Sequence, residues 1–376
     1  MAALTNSSSR QPPSPQTEAI HHTHAVRVTE DVGALRRAVV TLATRCLPRR
    51  VGDAALAATE LATNLVRHTT SGGYILFREV ADGLELLAVD SGPGIGDRAF
   101  VAGRDRAAQI AGRIDTGFTL ATASAKGDLG RGRLPGAGLG VGLSSVERLA
   151  TTFDLYSSRP GGTVVLARIA TGLPRRTWCR FGGLNLAFGD AAESGDCFSV
   201  ALDQSLAAMI VDGLGHGPPA AEASSAAAKV FGNDPFGDLA SYVAKAHEAM
   251  RATRGGVLAV CSVDPNSGRL RYAGVGNITG RVLNGEQHQS LTSRDGVLGT
   301  RAPSPRVQVV ETPWLPGATL VMATDGLRTG WDPGAYPGLV GHDPVVVAAT
   351  LHRDQGRRAD DVAVLVIEDL RTPARA

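Results

Sequence analysis

The hydrophobic pattern of this chain changes at residues 171–176, and that change constrains the fold more than any other feature. Before it, amphipathic helical stretches alternate with strand-like runs. After it, many short apolar runs follow one another with few helices between them. A chain of 376 residues is also long for a single hydrophobic core. We therefore predict two domains of mixed α and β structure, at residues 25–170 and 178–369, joined by a linker at 171–177.

The predicted elements follow these two patterns. In the first domain, helices are predicted at 31–46, 53–69 and 142–150, and strands at 73–80, 83–90, 152–157 and 163–169. In the second domain, helices are predicted at about 218–232, 236–251 and 343–352. Strands are predicted there at 184–188, 198–202, 207–211, 257–263, 270–273, 278–283, 307–311, 318–323 and 362–367.

Both ends of the chain are predicted to be tails. Residues 1–24 are rich in Ser, Pro, Thr and His, and they lack the apolar content that a packed core needs. A disordered tail is therefore expected there, and a short second tail at 370–376.

Charge and composition argue against two classes of partner. Lys and Arg number 38 against 36 Asp and Glu, and aromatic residues make up only 5% of the chain, so no nucleic-acid-binding face is expected. No apolar stretch approaches the about 18 residues of a membrane span, and no secretory signal is visible. The four cysteines form no Cys-x-x-Cys pair, so a reducing cytoplasm is the expected location.

The first candidate site begins on the helix predicted at 53–69. Glu60 and Asn64 are four residues apart, so their side chains share one face of that helix. A carboxylate there can orient an attacking hydroxyl, and an Asn carbonyl can hold a Mg²⁺ ion that bridges phosphates. Such a pair alone is ordinarily the solvated face of a helix. Its significance depends on the segments that follow.

Glycine-rich segments follow this helix at three places. A carboxylate at the end of a strand, with glycines after it, can accept a hydrogen bond from an adenine amine while the backbone comes close. A run of alternating glycines before a helix can hold phosphates on the helix N-terminal amides. This run has neither the Lys of a P-loop nor the spacing of a dinucleotide fingerprint. The candidate nucleotide-binding residues are Asn64, Asp90, Gly92, Gly94, Gly138, Gly140, Gly142 and Thr163.

The order Glu-x-x-x-Asn, Asp-x-Gly-x-Gly, Gly-x-Gly-x-Gly and Gly-Thr resembles the GHKL ATPase family over about residues 25–170. Within that family, the segments ATELATNLVRHT and DSGPGIGD look most like stand-alone anti-sigma and RsbT-type serine kinases. The resemblance implies a Bergerat-type two-layer α/β sandwich that binds ATP with Mg²⁺. It implies that Glu60 is the base, that Asn64 is the Mg²⁺ ligand and that Asp90 reads the adenine. The stretch 97–135 would be the ATP lid.

The second candidate site is a set of aspartates at strand ends. Two apolar runs end in Asp-Gly, and two further aspartates directly precede apolar runs. An Asp-Gly pair by itself is ordinarily a turn, but four such aspartates in one arrangement favour a site. Oxygen donors without His or Cys suit Mg²⁺ or Mn²⁺. The candidate metal-binding residues are Asp196, Asp212, Gly213, Asp325 and Asp360.

These aspartates, together with the Gly274–Asn277 segment, resemble the PPM-type metal-dependent protein phosphatases, in the compact SpoIIE/RsbX form, over about residues 178–369. The resemblance implies an α/β/β/α sandwich that binds two Mn²⁺ or Mg²⁺ ions. It implies that Asp212 bridges both ions and is central to catalysis, and that the Gly213 carbonyl is a ligand. Asp196 would serve one ion, and Asp325 and Asp360 the other. Asp361, where larger relatives often have Asn, is ranked below Asp360.

The two resemblances together imply a protein serine/threonine phosphatase fused to an ATP-binding, serine-kinase-like module. The expected partners are phosphorylated STAS-domain regulators of a stressosome or sigma-factor switch, and a homodimer is left open. Two alternatives stay open as well. The first is a phosphatase gated by a non-catalytic ATP sensor, and the second is an anti-sigma-type binding protein.

Overall fold

The computed structural model describes residues 15–95, 141–158, 161–172, 177–189, 191–285, 287–357 and 360–372. The chain separates into two compact units. One unit is Thr23–Pro174, and the other combines Met1–His22 with Arg175–Ala376. The structure is α+β, and its described residues form three sheets. No helix among the described residues is long and apolar enough to cross a membrane.

The unit Thr23–Pro174 has two layers, a five-stranded sheet and a helical layer. The sheet has the order β2-β3-β4-β6-β5. Its strands are β2 (His22–Val26), β3 (Gly73–Val80), β4 (Gly83–Asp90), β5 (Thr152–Ser158) and β6 (Gly162–Ala170). Its helices are α1 (Thr29–Cys46), α2 (Val51–His68) and α3 (Val141–Leu149).

The core of this unit lies between the sheet and the helices. On α2, the buried residues Ala54, Ala58, Leu61 and Leu65 recur at intervals of three and four, which places them on one face of the helix. Alternate residues of the strands pack against that face as part of one cluster. Glu60 and Asn64 lie at one side of this buried face and carry the first candidate site.

The other unit has four layers, in which two packed sheets lie between helices. One sheet has the order β1-β8-β9-β10-β11-β14, and the second has the order β13-β12-β15-β16-β7. The strands are β1 (Gln16–Thr17), β7 (Cys179–Leu186), β8 (Asp196–Leu202), β9 (Leu206–Gly213), β10 (Gly256–Asp264), β11 (Arg269–Val275), β12 (Thr279–Asn284), β13 (Gln287–Leu291), β14 (Val310–Pro313), β15 (Thr319–Ala323) and β16 (Val362–Asp369). The helices are α4 (Pro218–Asn233), α5 (Leu239–Met250) and α6 (Pro344–Gln355).

The layers of this unit are held by two apolar clusters. The larger cluster lies between the sheets and joins Phe198 and Ile210 of one to Met322 and Leu365 of the other. The second cluster packs α4 and α5 on the outer face of the six-stranded sheet, and α6 contacts β7 and β16 of the other sheet. The α/β/β/α arrangement expected from the sequence is therefore confirmed.

The prediction of a tail over residues 1–24 is wrong for its last ten residues. Gln16 and Thr17 form strand β1, which pairs with Val200 and Ser199 at the edge of β8. A few residues on, the His21 amide donates to the Asn185 carbonyl of β7 at 2.9 Å. Edge strands are held by backbone hydrogen bonds and need little apolar content, so composition could not reveal this pairing. We refer to residues 15–21 as the strap.

Candidate functional site

The hairpin of β8 and β9 brings the first two candidate metal ligands together. Asp196, the first residue of β8, lies directly opposite Asp212 near the end of β9 in the antiparallel register. The next residue fixes this end of the hairpin, since the Gly213 amide donates to the Gly195 carbonyl at 3.0 Å. Directly opposed residues of two strands have neighbouring side chains when they point to the same face. Two aspartates therefore share one rim of the sheet.

Asp196 is buried, with only 3% of its surface exposed. The Thr324 hydroxyl donates to its Oδ2 at 2.6 Å, and the Ala363 amide in turn donates to the Thr324 hydroxyl at 2.9 Å. Burial raises the pKa of the Asp196 carboxyl well above its usual range, and the charge of Asp212 adds to the effect. Thr324 therefore orients a carboxyl group that is costly to ionise without a cation nearby.

Asp212 is the aspartate on which the charges of other candidate residues act. Burial raises the pKa of its carboxyl to about 7. The negative charges of Asp325, Asp360 and Asp361 act in the same direction. Negative charges that raise the pKa of Asp212 lie close to it, and a divalent cation would offset their repulsion.

The remaining carboxylates differ in what holds them. The Asn277 amide donates to Asp325 Oδ2 at 3.0 Å. Asp361 is buried, and its two oxygens accept hydrogen bonds from the Phe188 amide at 2.6 Å and the Gly195 amide at 2.7 Å. Asp360 is exposed. Asp361 thus holds two loops in place, whereas Asp360 Oδ1 accepts a hydrogen bond from the adjacent Asp361 amide at 2.9 Å.

Gly213 must be glycine at this position. A Cβ there would lie 2.2 Å from the Ala220 carbonyl oxygen, closer than real contacts allow. The first turn of α4 therefore packs directly on the backbone beside Asp212. This close packing holds the Gly213 peptide beside the candidate metal-binding aspartates. We name these four aspartates the acidic centre: Asp196, Asp212, Asp325 and Asp360.

The donor set of the acidic centre suits a hard divalent cation. All its side-chain donors are oxygens, which favours Mg²⁺ or Mn²⁺ over Zn²⁺. Within the residues that the structure describes, no three His, Cys, Asp or Glu side chains are grouped closely enough to hold a metal ion. Mg²⁺ is commonly bound through only one or two carboxylates and keeps several water ligands. The residues therefore fit the ion.

The first candidate site also comes together around α2. Glu60 and Asn64 are half-buried on its polar face. A Cβ added to Gly142, in the first turn of α3, would lie 2.5 Å from Glu60 Oε2 and 3.6 Å from the Asn64 amide. Asn64 Nδ2 is buried and has no hydrogen-bond partner among the described residues. The last glycine of the run thus faces both polar side chains. Gly138, Gly140 and the lid predicted at 97–135 lie outside the described residues.

The second half of this site lies at the ends of β4, β5 and β6. Asp90 is paired with Thr163 across β4 and β6, and Asp90 Oδ1 accepts from the Gly92 amide at 2.7 Å. The Thr163 hydroxyl lies 3.0 Å from the Ser157 hydroxyl. Gly94 has a positive φ of 73°, and a Cβ there would meet the Ser158 carbonyl at 2.4 Å. Asp90, Gly92, Gly94 and Thr163 therefore form one cluster.

Sequence reasoning missed two hydroxyl groups in these sites. Thr324 directly precedes Asp325, so its place in the motif was visible, but its bond to Asp196 spans 128 residues. Ser157 accepts from the Ile95 amide at 2.8 Å and so ties the loop after Gly94 to β5. Nothing in the local sequence around Ser157 marks it.

Comparison with known proteins gives one family match. The model of stage II sporulation protein E (SpoIIE) matches residues 203–333, less than half of the chain. The matched segment includes Asp212, Gly213 and Asp325, whereas Asp196 and Asp360 lie outside it. No curated protein matches the chain.

Solved structures are similar to about half of the chain. A chain of the bacterial stressosome, described as a modular system adapted to control secondary messenger signalling, is 27% identical; the match covers 50% of this chain and 98% of that one, with a TM-score of 0.46. RsbX in complex with magnesium is 19% identical, with 52% and 97% covered and a TM-score of 0.44. The RsbU and RsbW domains of Rv1364c from Mycobacterium tuberculosis are 21% identical, with 52% and 62% covered and a TM-score of 0.43. Residues 203–333 are thus similar to stage II sporulation protein E.

Proposed function

We propose that residues 178–369 form a metal-dependent protein serine/threonine phosphatase domain. The observation that carries the proposal is the acidic centre itself. Asp196 and Asp212 lie opposite each other in the register of β8 and β9, and the charges of Asp325 and Asp360 raise the pKa of Asp212. The SpoIIE match over residues 203–333 supports it.

The residues have distinct parts in this proposal. Asp212 and the Gly213 carbonyl would hold two Mn²⁺ or Mg²⁺ ions between them, with Asp196 serving one ion and both Asp325 and Asp360 the other. Such ions supply a water nucleophile at neutral pH and stabilise charge on a transferring phosphoryl group. Thr324 and Asn277 hold the carboxylates of Asp196 and Asp325 in fixed orientations.

The proposal is tested with the full chain and a phosphoserine peptide. We expect release of inorganic phosphate in the presence of Mn²⁺ or Mg²⁺, because the all-oxygen donor set suits these ions. Exhaustive chelation should abolish the release, and added Mn²⁺ should restore it. Hydrolysis that persists in the chelated protein would contradict the two-ion site.

We further propose that residues 25–170 form an ATP-binding module. The proximity of Glu60, Asn64 and Gly142 supports binding of the ATP phosphates and Mg²⁺ at one end of the site. The cluster at Asp90 and Thr163 supports binding of the adenine at the other end. A buried amide nitrogen without a partner, as at Asn64, is costly unless a ligand group satisfies it. This module is a serine kinase acting on the same class of protein that the phosphatase domain dephosphorylates.

The proposed substrates are phosphorylated STAS-domain regulators of a partner-switching system in the cytoplasm. A non-catalytic ATP sensor that gates the phosphatase is the second candidate for the ATP module. The presence of a carboxylate at position 60, beside Gly142, favours the kinase.

Replacing Glu60 separates the kinase from the sensor. Gln has the same shape as Glu, so Glu60→Gln keeps the packing on Gly142 but removes the base. We expect ATP affinity to change less than threefold and phosphoryl transfer to a STAS protein to fall about 100-fold or more, as for loss of a general base. Calorimetry and transfer of labelled phosphate measure the two effects.

The matched control is Glu79→Gln, on β3, where an exposed carboxylate pairs with Arg45. It should change neither quantity. If the wild-type chain binds ATP but transfers no phosphate, the module is the sensor.

A further inference from the structure

An arginine stands beside the turn that follows the central aspartate. Arg254 lies between α5 and β10, two residues before Gly256, which pairs with Gly213 in the sheet. The Leu214 amide donates to the Gly255 carbonyl at 3.0 Å, so the segment 213–215 and the segment 254–256 run side by side. The backbone carrying Arg254 is thus fixed next to the backbone carrying Asp212.

The guanidinium group is directed along that turn. A Cβ at Gly215 would lie 3.1 Å from Arg254 Nη1. Gly215 also has a positive φ of 87°, a conformation that L side chains rarely adopt. The turn is therefore bare of side chains where the guanidinium passes it.

The cation has no carboxylate counterpart among the described residues. Ion pairs hold Arg180 to Glu368, Arg353 to Asp354 and Arg371 to Asp369 in the same unit. Arg254 forms no such pair, and it is exposed. Its loop is nevertheless well fixed, because the Gly255 amide donates to the Thr253 hydroxyl, which donates to the Met250 carbonyl at 2.7 Å. An ordered backbone thus presents an unpaired cation beside the turn that follows Asp212.

We propose that Arg254 binds the phosphate group of the substrate at the rim of the acidic centre. The inference rests on the proposed phosphatase function and names a residue that contacts the substrate. A guanidinium group presents parallel N–H donors that match a phosphate and stay charged at every working pH. Metal ions would neutralise the carboxylates, and Arg254 would supply the positive charge that a dianionic phosphomonoester still needs. The absence of a side chain at Gly215 leaves the guanidinium uncovered on the side that faces the turn.

The test compares Arg254→Ala and Arg254→Lys with the wild-type chain. We expect Arg254→Ala to lower kcat/KM by about 10- to 100-fold on both a phosphoserine peptide and p-nitrophenyl phosphate, the range for losing charged hydrogen bonds. The inhibition constant of inorganic phosphate should rise by a similar factor. Arg254→Lys should recover part of the loss, because it keeps the charge but not the planar fork.

The control is Arg269→Ala, which removes an exposed cation at the opposite end of the β10–β11 hairpin. The rise per strand residue places it about 26 Å from Gly256 along the sheet. It should leave kcat/KM and phosphate inhibition unchanged. Mn²⁺ affinity and thermal unfolding should be the same in all variants.

Two results would overturn the assignment. One is a kcat/KM of Arg254→Ala within twofold of the wild type, and the other is a loss of Mn²⁺ affinity that accounts for the whole effect. An inactive wild-type chain would instead refute the phosphatase proposal itself, so the two failures are distinguishable.

Discussion

Replacing Asp212 with Asn is expected to lower phosphatase kcat about 100- to 1000-fold, since a metal ion contributes several kcal/mol to stabilising the transition state. Asp212 lies opposite Asp196, near the end of β9, and is the position from which both ions would be held. Asn keeps the size of the side chain but removes its charge. Steady-state hydrolysis of a phosphoserine peptide at saturating Mn²⁺ measures the loss.

The same substitution should not weaken the fold. Burial and neighbouring carboxylates raise the pKa of Asp212, so its ionised form is held at a cost in the folded state. Asn removes that cost, and thermal unfolding of the chelated protein should occur at the same or a higher temperature. Asp203→Asn, in the exposed turn at the far end of the same hairpin, should change neither property. A fully active Asp212→Asn protein would end the two-ion proposal.

Replacing Asp90 with Asn is expected to weaken ATP binding about 5- to 150-fold, which corresponds to roughly 1–3 kcal/mol for a lost buried hydrogen bond. The adenine amine is a donor, and the Asn amide would present a second donor to it. Asn keeps an Oδ1 that can accept from the Gly92 amide, so the turn after β4 is preserved. Calorimetry with the Mg²⁺ complexes of ATP and GTP measures the change.

The nucleotide preference makes this test more specific. Guanine has a carbonyl where adenine has the amine, so GTP should lose less affinity than ATP or gain some. Asp82→Asn, in the exposed turn at the other end of the β3–β4 hairpin, is the matched control and should bind as the wild type does. Equal affinity of the wild-type protein for ATP and GTP would contradict the assignment of Asp90 to the adenine.

The fold was predictable where apolar periodicity is strong. The hairpin of β3 and β4 has the predicted bounds, and α2 begins and ends within two residues of its prediction. The strand Gln287–Leu291 was missed because four of its five residues are exposed, so no apolar alternation marks it. It exists because β12 offers a free edge, which is a property of the assembled sheet.

The candidate sites were predictable to the extent that their residues lie in local motifs. Asp212-Gly213 and Asp325-Gly326 stand at strand ends, and the register of β8 and β9 then adds Asp196. The residues that orient those side chains were harder to find. Thr324, Asn277 and Ser157 each form a hydrogen bond across a long sequence separation, and only the folded chain defines such partners.

The strap has a consequence for the order in which the chain can fold during synthesis. Thr17 bonds to Ser199, 182 residues later, and synthesis at about 5–20 residues per second separates the two by roughly 10–35 s. Residues 23–174 can complete their own core in that interval, before the rest of the unit that contains the strap has been synthesised. The entropic cost of closing a loop grows only slowly with its length. The long separation between Thr17 and Ser199 therefore slows folding more than it reduces the stability of the folded chain. A truncated chain starting at residue 175 would leave the edge of β8, which carries Asp196, unpaired and open to association with other strands.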